Sequence, residues 1–165
     1  MKVMWAPWRM EYILGPKADS CPFCLPDGCC LAESAAERLV LHRGEFAFVL
    51  LNKFPYNNGH MLVTPYRHVM HLEDLSPEEA GELMNLVTLA VKALKQYCSP
   101  EGINIGLNLG QAAGAGIAGH LHWHIVPRWT GDSSFLAVMD EVRMIPQHIR
   151  ETYANLVEIF RNLSA

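Results

Sequence analysis

The stretch GHLHWHIVPRW, Gly119–Trp129, puts three of the chain's eight histidines, His120, His122 and His124, at alternate positions. In an extended strand residues i, i+2 and i+4 share one face, so the three imidazoles would stand together about 6.6 to 7 Å from one to the next. Leu121, Trp123 and Ile125 would then point to the opposite, buried face. Three readings fit this pattern: a wet strand face without a chemical role, ligands for a zinc ion, or an imidazole cluster built for phosphate chemistry. Three alternating ligands from one strand strain a single tetrahedral ion, because the outer rings start too far apart, although one strand can supply two. The preceding loop, NLGQAAGAGIAG at Asn108–Gly119, offers backbone N–H groups with few side chains in the way, which suits polyphosphate oxygens.

Upstream, RLVLHRGEFAFVLLNKFPYNNGHMLVTPYRHV holds three runs rich in Val, Leu and Phe, Leu39–His42, Phe46–Asn52 and His60–Pro65, separated by Gly, Asn and Pro turns. They predict three consecutive antiparallel strands. Ser76-Pro77-Glu78-Glu79 supplies a capping Ser, a first-turn Pro and a Glu three residues after the cap. Leu83, Leu86, Val87, Ala90, Val91 and Leu94 follow at helical spacing and predict an amphipathic helix from about Pro77 to Tyr97. GINIGLNLG and HLHWHIVPRW predict two more strands, and the segment from Pro146 to about Leu163 a second helix. Strands on either side of a helix, without regular βα alternation, make this an α+β domain with an antiparallel sheet of about five strands and two main helices.

The 165 residues suit one domain, with 1–37 as an irregular N-terminal segment, 38–130 as the core and 131–165 as a C-terminal extension carrying the second helix. The formal net charge of −4 and pI near 6.0 give no global attraction for nucleic acid or anionic lipid, so a phosphate-bearing partner must be held locally. A small ligand fits better than a nucleic acid polymer. No apolar run approaches the ~20 residues that span a bilayer, and Pro7, Arg9 and Glu11 interrupt the apolar character of the N-terminal segment, so the expectation is a cytoplasmic protein.

An odd number of cysteines, five, argues for thiols or metal ligands rather than a disulfide framework. Cys21-Pro22-Phe23-Cys24 is a knuckle whose close thiolates can chelate one ion, and no βαβ pattern surrounds it to favour a redox role. Cys29 and Cys30 read as bystanders and Cys98 as a packing residue. Arg128 after the cluster suits either a phosphate or a surface ion pair.

These motifs resemble a known family. HLHWHIVP is similar to the His-x-His-x-His signature, with x apolar, of the histidine triad (HIT) superfamily, and NKFPYNNGHMLVTPYRHV resembles its upstream Asn…Pro…Gly-His-x-Leu-Val-x-Pro-x-Arg-His segment. The likeness covers roughly residues 38 to 130; MWAPWRMEYI and CPFC narrow it toward a bacterial branch resembling diadenosine tetraphosphate phosphorylases, beside Fhit-like nucleotide hydrolases.

The resemblance implies a HIT-like fold and attack of the middle histidine, His122, on the α-phosphorus of a nucleotide to form a covalent nucleotidyl-histidine. Neutral imidazole is a competent nucleophile near pH 7, and one ring nitrogen must keep its proton, so a backbone carbonyl is expected beside His122. The resemblance gives His124 the phosphate or the bridging oxygen of the leaving group, and His60 a supporting place in the cluster. It assigns Asn52 to the ribose and Asn108 to orienting the phosphate, the alternative for each Asn being a turn bonded to its own backbone, while the loop with Gly110 and Gly116 would contact the phosphates mainly through backbone N–H groups, with Gln111 as a side-chain substitute. Fhit- and Hint-like members often carry Gly-Gln-Ser/Thr where this chain has Gly116 and Ile117, which leaves the acceptor, inorganic phosphate or water, open. The rivals are Hint-like hydrolysis of nucleoside phosphoramidates and a nucleotide-binding module without catalysis. Branches with the Cys pair complete a structural zinc site with residues matching His68 and His120, giving Cys21, Cys24, His68 and His120. A homodimer is likewise expected by resemblance.

Overall fold

The computed structural model describes residues 21–24, 32–132 and 147–164. Five strands, β1 (Val40–Arg43), β2 (Ala47–Leu51), β3 (Met61–Pro65), β4 (Gly102–Leu107) and β5 (Trp123–Arg128), form one antiparallel sheet in the order β1-β2-β3-β5-β4. Among the described residues three α-helices accompany it: α1 (Ala32–Glu37), α2 (Pro77–Cys98) and α3 (Ile149–Ser164). The α+β expectation of five strands and two main helices holds.

The sheet's two faces follow from strand alternation. Ala47, Val49, Leu51, Met61, Val63 and Ile125 join Leu83, Val87, Ala90 and Leu94 of α2 and Leu156 and Phe160 of α3 in one core cluster. Phe48, Leu62, Thr64 and His124 fall on the other face, away from these helices. α2 starts as its sequence dictates: the Ser76 hydroxyl accepts from the Glu79 N–H, and the Glu79 carboxylate accepts from the Ser76 N–H. Arg67 clamps the same carboxylate through Nε and Nη2 (2.9 and 2.6 Å). A second carboxylate of α2, Glu82, accepts the N–H groups of Glu45 and Phe46 in the β1–β2 turn (2.7 and 2.6 Å). Gly44 lets this carboxylate close in, since a Cβ would sit 2.5 Å from Glu82 Oε1 and displace it. Among the described residues no helix is long and apolar enough to cross a membrane.

Two expectations change. Within the segment read as irregular, Ala32–Glu37 forms a short helix; its AESAAE sequence is dense in strong helix formers. The histidine motif is also not one strand throughout. β5 begins only at Trp123, so His120 and His122 precede it. The reason is local pairing: the Leu121 N–H donates to Val69 O (2.8 Å) and the Leu121 carbonyl accepts from the Thr64 hydroxyl (2.8 Å), so the ladder to β3 starts at Trp123 opposite Val63. The opening MWAPWRMEYI, Cys29, Cys30 and the start of the second helix at Pro146 lie outside the described residues.

Candidate active site and metal centre

The histidine-bearing face is not wet. His60 is 0 % exposed, His120 1 % and His122 5 %, because the Cys21–Cys24 knuckle covers one end of the cluster and Tyr56 the other. The rings of His122 and His124 stand with centroids 4.9 Å apart, closer than an ideal strand would hold them, since His122 lies just outside β5. His60, which enters β3, brings its ring within 5.2 Å of that of His124.

Hydrogen bonds fix the tautomers. The His122 Nδ1 lies 2.8 Å from the His120 carbonyl oxygen, which can only accept. Nδ1 therefore carries the proton and Nε2 presents a lone pair, the backbone carbonyl that the nucleophile reading expects. The Tyr56 N–H donates to His60 Nδ1 (3.0 Å), which puts the proton of a neutral His60 on Nε2. That N–H faces His124 Nδ1 at 3.0 Å and makes it the acceptor, so the proton of His124 sits on Nε2. His124 Nε2 is the buried side-chain polar atom left without a partner among the described residues. A lone pair on His122 and an N–H on His124 thus stand side by side. Burial, with His122 adding to it, holds His124 down to about 4, which keeps it neutral at ordinary pH.

The other predicted ligand contacts divide. The Asn52 side chain accepts from the Phe54 N–H (2.9 Å) through Oδ1 and reaches His60 Nδ1 (3.3 Å) through Nδ2. Its amide serves a turn and the histidine cluster in this structure. Asn108 is partly exposed at the end of β4, and Gly110, Gln111 and Gly116 line an exposed loop. The N–H groups of Ala113, Gly114 and Ala115 turn inward to the carbonyls of Gly110 and Gln111. Arg128 is in an ion pair with Asp132 (2.6 Å) and also donates to Asn104 Oδ1 (2.8 Å), so of its two readings the ion pair is realised. Sequence reasoning assigned no role to Tyr56, whose ring lies at 11° to that of His124 with centroids 5.6 Å apart, nor to Phe23. An aromatic residue inside each of the motifs NKFPYNNGH and CPFC was the available signal.

At the other end of the motif, Cys21, Cys24, His68 and His120 place their ligand atoms within 4.8 Å of one another. Cys21 Sγ and His120 Nδ1 are 3.3 Å apart, Cys24 Sγ and His68 Nδ1 3.3 Å, and Cys24 Sγ and His120 Nδ1 3.8 Å. In a tetrahedral S2N2 zinc site these edges are about 3.5 Å. His120 Nε2 donates to the Pro65 carbonyl (3.0 Å), which leaves Nδ1 free to ligate, the usual arrangement behind a metal-bound imidazole. The donor set, its spacing and this backing bond all fit a closed structural zinc site.

Comparison with known proteins agrees. Residues 33–131 match the HIT domain family. A protein named AP-4-A phosphorylase from Mycobacterium tuberculosis is 41% identical over 155 residues, covering 90% of this chain and 79% of that protein. The asymmetrical bis(5'-nucleosyl)-tetraphosphatase of Schizosaccharomyces pombe is 30% identical over 121 residues, covering 73% of this chain and 63% of that protein. Among solved structures, a Zn-bound histidine triad family protein from Mycobacterium smegmatis aligns with a TM-score of 0.63 at 28% identity, over 76% of this chain and 86% of that one.

Proposed function

This chain belongs to the HIT domain family, and from that premise we propose that it transfers a nucleotidyl group from a dinucleoside polyphosphate, through His122, to inorganic phosphate or water. The observation that carries the proposal is the paired presentation of an unprotonated His122 Nε2 and an unpartnered His124 Nε2–H. His122 Nε2 forms a bond to the α-phosphorus as the bond to the bridging oxygen breaks. His124 Nε2–H hydrogen-bonds that oxygen and steadies the charge it gains, so the leaving nucleotide departs as its anion and His124 stays neutral. An oxygen of phosphate or water then attacks the same phosphorus as the N–P bond breaks, water giving up its proton to solvent, and His122 recovers its lone pair. Splitting one hard displacement into two easier ones is the gain of covalent catalysis. His60 holds the tautomer of His124; Asn52, Asn108, Gly110, Gln111 and Gly116 are assigned to ribose and phosphates, with Asn52 having to exchange its Phe54 contact to reach a sugar.

Cys21, Cys24, His68 and His120 would hold a structural zinc ion that pins the knuckle to the sheet and takes no part in the chemistry. Thiolates kept free for a metal suit the reducing cytoplasm. A homodimer is supported by the outer edge of β4, where Ile105 and nearby Leu109 are each 49 % exposed, beside a groove lined by Leu75, Ala80, Met84 and Trp123. Pairing of β4 with its copy would extend the sheet across two subunits.

The test is incubation with diadenosine tetraphosphate, with and without inorganic phosphate. Phosphorolysis yields ADP from the bound adenylyl group and hydrolysis yields AMP. A trapped adenylyl adduct should map to His122, and wild-type turnover by a His122→Ala variant would refute the proposal.

A further inference from the structure

Phe23 sits between the two thiols of the Cys21–Cys24 knuckle, a turn closed by the Cys24 N–H donating to Cys21 O (3.2 Å). Pro22 beside it is exposed, whereas Phe23 is 5 % exposed. Its ring meets two members of the histidine motif. The centroid lies 4.9 Å from that of His122 with the planes at 42°, and 5.5 Å from that of His120 in an edge arrangement. A buried aromatic in so short a turn has its position set by the two ends of the turn, and those are the two cysteines of the candidate metal centre.

His122 needs such a neighbour. Its Nδ1 bond to the His120 carbonyl fixes where one nitrogen points but leaves the ring able to rock about that bond. The His124 ring bounds His122 on one side, at 62° to it. Phe23 bounds it from a segment far away in sequence. In-line attack on phosphorus requires Nε2 to stay on the reaction axis, and a misplacement of about 1 Å can cost ~100-fold in rate.

We propose that Phe23 is a positioning residue for His122: its ring limits the rotation of the attacking imidazole, and the two cysteines that close its turn make metal binding felt at the nucleophile. This rests on the nucleophilic role proposed above for His122. Two links then run from the metal centre to His122. One goes through the main chain of His120, which ligates through Nδ1 and accepts through its carbonyl; the other goes through Phe23.

The second link can be cut alone. Phe23→Leu keeps an apolar side chain of moderate size and removes the ring, and Phe23→Tyr restores a ring. With diadenosine tetraphosphate as substrate, the Leu variant should lose ~10-fold or more in kcat at nearly unchanged KM, and the Tyr variant should recover most of it. The imidazole proton resonances of His122 should shift in Phe23→Leu, because the ring current of Phe23 is lost, while those of His148 stay in place. Chelation of zinc from the wild-type chain should move the same His122 resonances, a readout independent of turnover. If Phe23→Leu leaves both kcat and the His122 resonances unchanged, the inference fails. A rise in KM at constant kcat would assign Phe23 to ligand contact and overturn it as well. Should Phe23→Leu lose its metal or unfold, the wild-type chelation experiment decides: His122 resonances that do not move on chelation overturn the coupling. An inactive His122→Ala beside an unaffected Phe23→Leu separates failure here from failure of the nucleophile proposal.

Discussion

His60 Nε2 and His124 Nδ1 lie 3.0 Å apart, and because the Tyr56 N–H occupies the other nitrogen of His60, the bond between the two rings has one direction. The Tyr56 N–H, with the Asn52 amide beside it, therefore determines which nitrogen of His124 carries the proton. The chemistry proposed for the cluster follows from that orientation more than from the number of histidines in it.

His124→Asn should slow release of a poor leaving group far more than a good one. With diadenosine tetraphosphate the rate should fall by about 10²- to 10³-fold, the usual contribution of one hydrogen-bond donor to a developing oxyanion. With an adenylyl ester of an acidic phenol, whose oxygen leaves with its charge spread over the ring, the defect should nearly vanish. An equal loss on both substrates would show that His124 is not the donor.

Removing His60 should act through its neighbour. His60→Leu leaves the fully buried site without the Nε2 donor that holds His124, and the expected result is a fall in kcat of roughly tenfold or more, with KM less affected. Proton chemical shifts of His124 read the change of tautomer directly.

The acid limb of stability should carry the mark of His124. Its native value is held down to about 4 against an ordinary 6.5, so between these pH values the unfolded chain binds a proton that the native one refuses. Stability contributed by this group is present above about pH 6.5 and declines as the pH falls toward about 4. Chemical denaturation across that window, in wild type and His124→Asn, should show a shallower pH slope for the variant.

Glu79→Ala removes a capping-box partner and the carboxylate clamped by Arg67, and should lower stability by on the order of 1–2 kcal/mol. The half-exposed Arg67 keeps the figure modest, since solvent screens that pair. The Arg67 bond first, then the Ser76 N–H, hold Glu79 down to about 2. Its contribution is thus present above the ordinary carboxylate value of 4.5 and lost as the pH falls through about 2. Urea titrations at pH 7 and pH 3 should find the variant's deficit larger at the higher pH.

Stripping zinc, or replacing Cys21 and Cys24 together with Ser, should lower Tm by ~5 °C or more, because an ion held by Cys21, Cys24, His68 and His120 would join a segment remote in sequence to the sheet. Metal analysis of the native protein should give close to one zinc per chain. A double variant that melts with the wild type would remove the structural role.

Much of this was legible in the chain because the signals are local. Ser76-Pro77-Glu78-Glu79 announces α2 since capping involves only neighbours, and the apolar runs around Phe48 and Leu62 mark β2 and β3 because each strand buries both of its faces. The alternation of His120, His122 and His124 likewise brought the right side chains to attention. It misjudged their support, since a two-residue period assumes a continuous ladder, and the bonds from Leu121 to Val69 and Thr64 end the ladder at Trp123.

By itself, then, the sequence determined most of the elements, the antiparallel sheet and which histidines gather, all of which depend on residue type and short spacing. Only the tertiary structure decided which nitrogen of each ring holds its proton, that Arg128 is held by Asp132, and that Phe23 and Tyr56 flank the cluster. Those outcomes are set by bonds and ring contacts between segments far apart in the chain, as when Tyr56 orders His60 and His60 in turn orders His124, and no local period encodes such a partner.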